Sequence, residues 1–128
     1  MTYKSAQVYT GSEWVDLAVA VAEPFQRTVG NVTTTPYTIL ATDAGKALVL
    51  NSSSAMSLVV PAESTYNFVI GQTFLIIQKG TGAVTVSGAV GVTLRSKSSN
   101  TITDGQYSEA RLIKIATNEW LLSGDLTA

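Results

Sequence analysis

Apolar residues in this chain of 128 residues fall in short runs separated by turn-forming residues. Residues 47–50, 74–77 and 120–122 are examples, and all are far shorter than the ~20 residues of a membrane-spanning helix. A strand with one wet face alternates apolar and polar residues, so these continuous runs indicate strands covered on both faces. Because one small domain has little interior, we expect other copies or a larger assembly to cover part of this surface.

Turn-forming residues divide the chain after residue 36 into a series of short strands. No segment shows the 3.6-residue periodicity of a helix, and the β-branched residues Thr and Val are frequent. The candidate strands are residues 37–41, 46–51, 55–60, 72–79, 83–87 and 92–95, followed by a hairpin of residues 107–116 and 119–124. This pattern predicts an all-β fold, a small antiparallel sandwich or barrel-like domain.

A separate hairpin is predicted at the N-terminus. Residues 7–9 and 13–17 flank a turn centred on Gly11, whereas residues 22–36 show no strand pattern. We therefore divide the chain into an N-terminal hairpin arm with its linker, residues 1–35, and a β-sandwich domain, residues 36–128. An isolated two-stranded hairpin is marginally stable in water, so the arm is expected to dock on another surface.

Charge is sparse and evenly spread. Charged residues make up 13% of the chain and the formal net charge is −1, against roughly 25% charged residues in ordinary soluble domains. No basic stripe or basic amphipathic stretch is present, so neither nucleic acid nor a membrane surface is an expected partner. The first residues lack the apolar core of a signal peptide, which favours synthesis without export.

Histidine and cysteine are both absent, which removes the commonest general base and the thiol nucleophile. Asp104, Glu109 and Glu119 are the candidates for a pair of carboxylates that hydrolyses glycosides. Because Arg111 and Lys114 are nearby in sequence, ordinary ion pairs are the favoured interpretation. We expect a protein that is not an enzyme and that has no cofactor and no metal.

Two loops allow a second interpretation. The Gly80-Thr81-Gly82 segment lacks the lysine and the following helix of a phosphate-binding loop, so a hairpin turn is predicted there. Residues 96–100 form a polar tip whose Lys97 and Asn100 could contact a glycan on a cell surface. A solvated loop is the favoured reading of that tip.

Two stretches of the chain resemble bacteriophage virion proteins. Residues 9–17, Tyr-Thr-Gly-Ser-Glu-Trp-Val-Asp-Leu, resemble the opening segment of small virion proteins, an aromatic residue and glycine followed by Trp-Val-x-Leu. Residues 37–126 resemble a β-domain of phage head-decoration proteins and tail fibres. The segments that carry this second likeness are residues 42–46, 59–61, 68–72, 80–86 and 120–126. The resemblance implies a structural protein, commonly trimeric, on a capsid or at a fibre tip.

Because almost nothing lies outside the arm and the domain, decoration of the head is the preferred function. The expected protein is made in the host cytoplasm, forms a homotrimer, and binds the major capsid protein on the outer surface of the virion. The alternative is a tail-fibre tip that binds a host receptor or glycan. The candidate contacts are Tyr3, Tyr9, Trp14 and Leu17 on the arm, for the capsid or a neighbouring subunit, and Phe74, Ile76, Ile113 and Ile115 between subunits. Trp14 is equally compatible with packing back on its own domain.

Overall fold

The computed structural model describes residues 27–128 and the backbone of two N-terminal strands, β1 (Gln7–Tyr9) and β2 (Trp14–Asp16). These two strands pair antiparallel, with Tyr9 opposite Trp14. The remaining residues of the predicted arm, Tyr3 and Leu17 among them, lie outside the described residues. The side chains of Tyr9 and Trp14 also lie outside this description.

Residues 27–128 form two mixed sheets, which confirms the all-β fold class. The strands are β3 (Thr28–Val32), β4 (Tyr37–Thr38), β5 (Lys46–Leu50), β6 (Met56–Val60), β7 (Thr73–Gln78), β8 (Val84–Gly88), β9 (Thr93–Ser96), β10 (Ile102–Thr103), β11 (Glu109–Ala116), β12 (Glu119–Gly124) and β13 (Leu126–Thr127). One sheet has the order β4-β6-β8-β10-β13, and the other has the order β3-β5-β7-β11-β12-β9. Single turns of 3-10 helix occur at Ala41–Asp43 and Lys97–Ser99.

From β3 to β8 the chain alternates between the two sheets. Each sheet therefore receives every second strand, and its neighbouring strands run parallel: β3, β5 and β7 in one, β4, β6 and β8 in the other. The prediction of an antiparallel fold is wrong for this half of the chain. Its turns carry the chain across to the other sheet instead of returning it beside the strand just completed. Antiparallel pairing begins where β10 joins β8 and β11 joins β7, and it includes the predicted hairpin β11–β12.

One strand lies where the sequence pattern indicated none. The stretch 28–32 falls inside the predicted linker, yet it pairs with β5 at the edge of the six-stranded sheet. In the sequence, the turn-forming pair Gly30-Asn31 indicates an interruption between strands. An edge strand tolerates such residues, because the parallel neighbour on one side supplies its hydrogen bonds.

The Gly80-Thr81-Gly82 segment is a crossover turn that stacks on the equivalent turn between β5 and β6. The Gly82 N–H donates to the Ser52 carbonyl over 2.8 Å, and the Lys79 N–H donates to the Leu50 carbonyl over 2.8 Å. A Cβ atom on Gly82 would overlap the carbonyl of Ser54. The predicted hairpin turn is therefore wrong, because this segment joins β7 in one sheet to β8 in the other.

Both sheets contribute to one hydrophobic core. Alternate residues of the central strands point inward. The ring of Phe68 packs edge to face with two others, its centre 5.2 Å from that of Phe74 and 5.9 Å from that of Trp120. The buried core residues are Val32, Ile39, Leu48, Leu50, Met56, Leu58, Val60, Phe68, Phe74, Ile76, Val84, Val86, Ala110, Leu112, Trp120 and Leu122. Burying each large side chain contributes about 1.5–3 kcal/mol to folding.

A buried polar bridge joins the two sheets. The Thr103 hydroxyl donates to Gln78 Oε1 and accepts a hydrogen bond from the Val84 N–H over 2.8 Å. Gln78 Nε2 donates to the Gly80 carbonyl over 3.0 Å, and both bridging side chains are buried. Because a buried polar group without a partner is costly, these bonds fix how β7 lies against β8 and β10.

Replacing Gly82 by alanine tests the stacking of these turns. We expect Gly82→Ala to lower the free energy of unfolding by roughly 2–4 kcal/mol, because the added methyl group has to displace the Ser54 backbone. The matched control is Thr81→Ala at the exposed neighbouring position, expected to change stability by less than about 0.5 kcal/mol. Urea unfolding of both variants measures the difference, and equal stabilities would contradict the stacking.

Candidate interaction surfaces

The six-stranded sheet is apolar on both of its faces. Its outer face, the side away from the core, is formed by the residues that alternate with the core positions. Across this face Val29 lies opposite Ala47 and Ala47 opposite Leu75. The apolar members of the outer face are Val29, Ala47, Val49, Leu75, Ile77, Ile113, Ile115 and Leu121.

Part of this outer face is open in the single chain, whereas Ala47 and Val49 on β5 are buried. Val29 is 56% exposed, Ile115 is 43% exposed and Leu121 is 37% exposed. Leu75 and Ile77 are half-buried. The continuous apolar runs therefore reflect strands that use one side for the core and present the other side outward. Coverage of that side by other copies remains a prediction.

The four residues predicted at a subunit interface fall on opposite sides of this sheet. Phe74 and Ile76 are fully buried in the core of their own chain, so they have no exposed surface with which to contact a second one. Ile113 is half-buried and Ile115 is exposed, both on the outer face. The reason is the two-residue period of a strand, which places Leu75 outward where Phe74 points inward.

Polar residues border the outer face. The Arg27 guanidinium donates to the Thr73 hydroxyl over 3.1 Å. At the other edge Arg95 donates to Glu119 over 2.9 Å, and both side chains are partly exposed. Exposed pairs of this kind contribute about 0–1 kcal/mol, so they set the borders of the face more than its stability.

A second apolar surface lies at one end of the sheets. The loops 39–45, 61–72, 89–92 and 117–118 meet there; we call it the loop end. Backbone bonds join them, with Ala89 N–H donating to the Val60 carbonyl and Thr93 N–H to the Asn118 carbonyl. Val69, Ile70 and Val90 are 71%, 64% and 99% exposed at this end. Sequence reasoning missed this surface, because short apolar loops read like strand edges.

A buried lysine holds the longest of these loops in place. Lys114 is 2% exposed and donates to Glu63 over 2.8 Å, to the Asn67 side-chain oxygen over 2.8 Å and to the Phe68 carbonyl over 2.6 Å. Three acceptors satisfy all three ammonium protons, which offsets the cost of burying the charge. The same residues line a cleft of about 320 Å³ with Val69 and Ile70 on its rim.

The Glu63 carboxylate is bound from two directions. The Lys114 ammonium donates to it, and the Asn118 backbone N–H donates to it over 2.9 Å. These bonds favour the charged form and lower the pKa of Glu63 below its usual value.

Comparisons with known proteins return no matching family model and no similar curated protein. Within the described part of the chain, no cluster of three potential metal-ligating side chains occurs. No helix among the described residues is long and apolar enough to cross a membrane.

Two of the three candidate carboxylates, Glu109 and Glu119, are not brought together. Glu109 begins β11, and Glu119 begins β12 opposite Ala116 at the far end of the same pair of strands. Seven residues of strand separate the two levels, roughly 20 Å, whereas glycosidases need their carboxyl groups about 5–9.5 Å apart. The ion pairs also differ from those predicted, since Glu119 binds Arg95 and Lys114 binds Glu63.

The polar tip lies at the end of the sheets opposite the loop end. Lys97 and Asn100 line a cleft of about 370 Å³ together with Leu122, Ser123 and Leu126. Among the residues that line it, no aromatic ring offers a stacking platform for a sugar. This cleft is where a glycan contact, the alternative predicted for the tip, would be located.

The Glu63 carboxylate predicts how stability depends on pH. Because the folded pKa of Glu63 is lowered, its contribution is complete above the unfolded pKa of about 4.3 and is lost as pH falls through the folded pKa. We expect the free energy of unfolding to fall with pH below this value, and Glu63→Gln to reduce that dependence. The exposed Glu109→Gln is the control and should retain the wild-type profile. Identical profiles for the two variants, measured by urea unfolding, would contradict this assignment.

Proposed function

We propose that this chain is a structural protein of a bacteriophage virion, which binds the exterior of the assembled capsid as a homotrimer and stabilises it. The observation that carries the proposal is the open apolar outer face of the six-stranded sheet. Val29, Ile115 and Leu121 are exposed on this face, and exposed apolar patches mark interaction sites in soluble proteins. The sequence resemblance to head-decoration proteins and tail fibres supplies the setting in which such a surface is covered.

In this proposal the two sheets pack as a sandwich around their shared core, and residues 1–35 form the arm. Tyr3, Tyr9, Trp14 and Leu17 on the arm contact the major capsid protein or a neighbouring subunit. Aromatic side chains suit that role because they supply a large contact area and are enriched among the residues that dominate binding energy. Ile113 and Ile115 on the outer face contribute to the contact between subunits.

Stabilisation of the capsid follows from mass action. A ligand that binds only the intact lattice stabilises it by RT ln(1 + [L]/Kd), about 2.7 kcal/mol per site at a hundredfold excess over Kd. Three linked copies raise the effective concentration of each further contact, so weak individual contacts add up to stable attachment. This mechanism requires binding surfaces and no catalytic group.

The outer face gives the first test, the oligomeric state. We expect the chain to have three times the 13.5 kDa mass of one copy by light scattering at micromolar concentration. Ile113→Glu should shift it toward the monomer while circular dichroism stays unchanged, because a buried, unpaired carboxylate opposes the contact. The control Ser87→Glu lies on the exposed side of the other sheet and should leave the mass unchanged. A monomeric wild-type chain would contradict the proposal.

The position of the protein on the particle tests the function itself. The alternative, a tail-fibre tip, is favoured by the cleft that contains Lys97 and Asn100. Electron microscopy of virions labelled for this protein should show signal over the head, at symmetry-related positions. Signal confined to the tail would instead support the receptor-binding tip.

A further inference from the structure

We infer that the N-terminal segment of one copy, residues 1–26, docks on the outer face of a neighbouring copy and joins the subunits in this way. The inference rests on the trimer of the proposed function and names the contact that holds it together. Three features support it: the outer face, the place where the segment joins the sheet, and the composition of the segment.

Two of the three exposed apolar residues of the outer face, Ile115 and Leu121, lie on β11 and β12, and the third, Val29, lies on β3. Leu121 lies opposite Ile113, and Ile113 lies opposite Thr73, so the two apolar side chains form a row that ends at a hydroxyl group. Ile115 continues the patch toward the loop end, and Leu75 and Ile77 continue it across β7. An amphipathic hairpin laid across these strands would cover this patch.

The segment joins the molecule at a corner of this same face. Arg27 precedes β3, the edge strand, and its side chain crosses the face to reach the Thr73 hydroxyl. That side chain occupies the strip of the outer face nearest the point where its own segment joins. The half of the face on β11 and β12, with Ile115 and Leu121, lies farther from that point, and we place the segment of a neighbouring copy there.

The composition of the segment suits the face. Apolar residues make up more than half of residues 1–26, and its charged side chains are one lysine against three carboxylates. The outer face and its borders carry three arginines, Arg27, Arg95 and Arg111, against Glu109 and Glu119. The segment is therefore net negative and the face net positive. Opposite net charges on two surfaces favour their association and set its orientation. The β1–β2 pair also needs a surface on which to dock, since two strands alone are marginally stable.

Exchange between copies is within reach of the chain. The ten residues between Asp16 and Arg27 span at most roughly 35 Å when extended, whereas a six-stranded sheet is about 24 Å from its first strand to its last. A segment that docks on a neighbour makes the same contacts as one that folds back on its own chain. It also links the copies, which is why exchange of an element is a low-cost route to an oligomer.

Because the chain has no cysteine, introduced thiols can report this contact without interference. Full-length chains carrying Ser12→Cys are tagged and co-expressed with untagged chains carrying Leu121→Cys, then treated with a short bismaleimide. We expect a covalent product that contains one tagged and one untagged chain. Replacing Leu121→Cys by Ser87→Cys, on the other sheet, should reduce that product about tenfold, because the thiols no longer meet at high effective concentration.

A chain carrying both Ser12→Cys and Leu121→Cys separates exchange from folding back. If the segment docks on a neighbour, this chain crosslinks only to other copies that carry both thiols, so dilution into an excess of cysteine-free chains should abolish the crosslink. If the segment covers its own face, the crosslink forms within one chain and is retained on dilution. Retention, or the absence of any crosslink between differently labelled copies, would overturn the inference. Arg111→Cys is the second position on the face if Leu121→Cys unfolds, as judged by circular dichroism. Light scattering on the same samples separates the exchange of the segment from the trimer itself. A trimer with crosslinks only within chains would contradict the exchange alone. A monomer would contradict both the exchange and the trimer.

Discussion

The shared core between the two sheets is the constraint on which the rest of the structure depends. Each central strand can place only alternate residues in that core, because strand side chains alternate with a period of two. Phe74, Leu112 and Trp120 fill it from the six-stranded sheet, and Leu58 and Val86 fill it from the other sheet. The core is then full. The apolar residues between these positions, such as Leu75 and Ile113, have no place inside and form the outer face.

The β content and most strand positions follow from the sequence, because apolar runs and turn residues are local signals. The hairpin β11–β12 ends almost where its pattern ends, with Thr117 and Asn118 in the turn. The path of the chain does not follow from local signals. Whether the turn at Gly80 returns beside β7 or crosses to β8 depends on contacts with Ser52 and Ser54, which are distant in sequence. The parallel pairing of β5 with β7 was missed for the same reason.

The candidate surfaces were predicted to a similar extent. That the strands are apolar on both faces could be read from the sequence, but which residue points inward could not, since a continuous run has no alternation. The sequence therefore predicts the same subunit contact for Phe74 and Ile76 as for Ile113 and Ile115. Only the latter pair faces outward. The loop end and the Lys114–Glu63 pair depend on groups that lie far apart in sequence, and no spacing rule connects them.

We propose that the outer face of the six-stranded sheet is a contact between chains. The rate at which a bulky maleimide reacts with a single thiol at Leu121→Cys, in the native assembly, tests this most directly. A thiol at Ser87→Cys on the opposite sheet gives the rate for an open surface. If the face is such a contact, the thiol at position 121 reacts much more slowly than the thiol at position 87 in the native assembly. The difference between the two rates disappears on denaturation. Equal rates at the two positions in the native protein would contradict it.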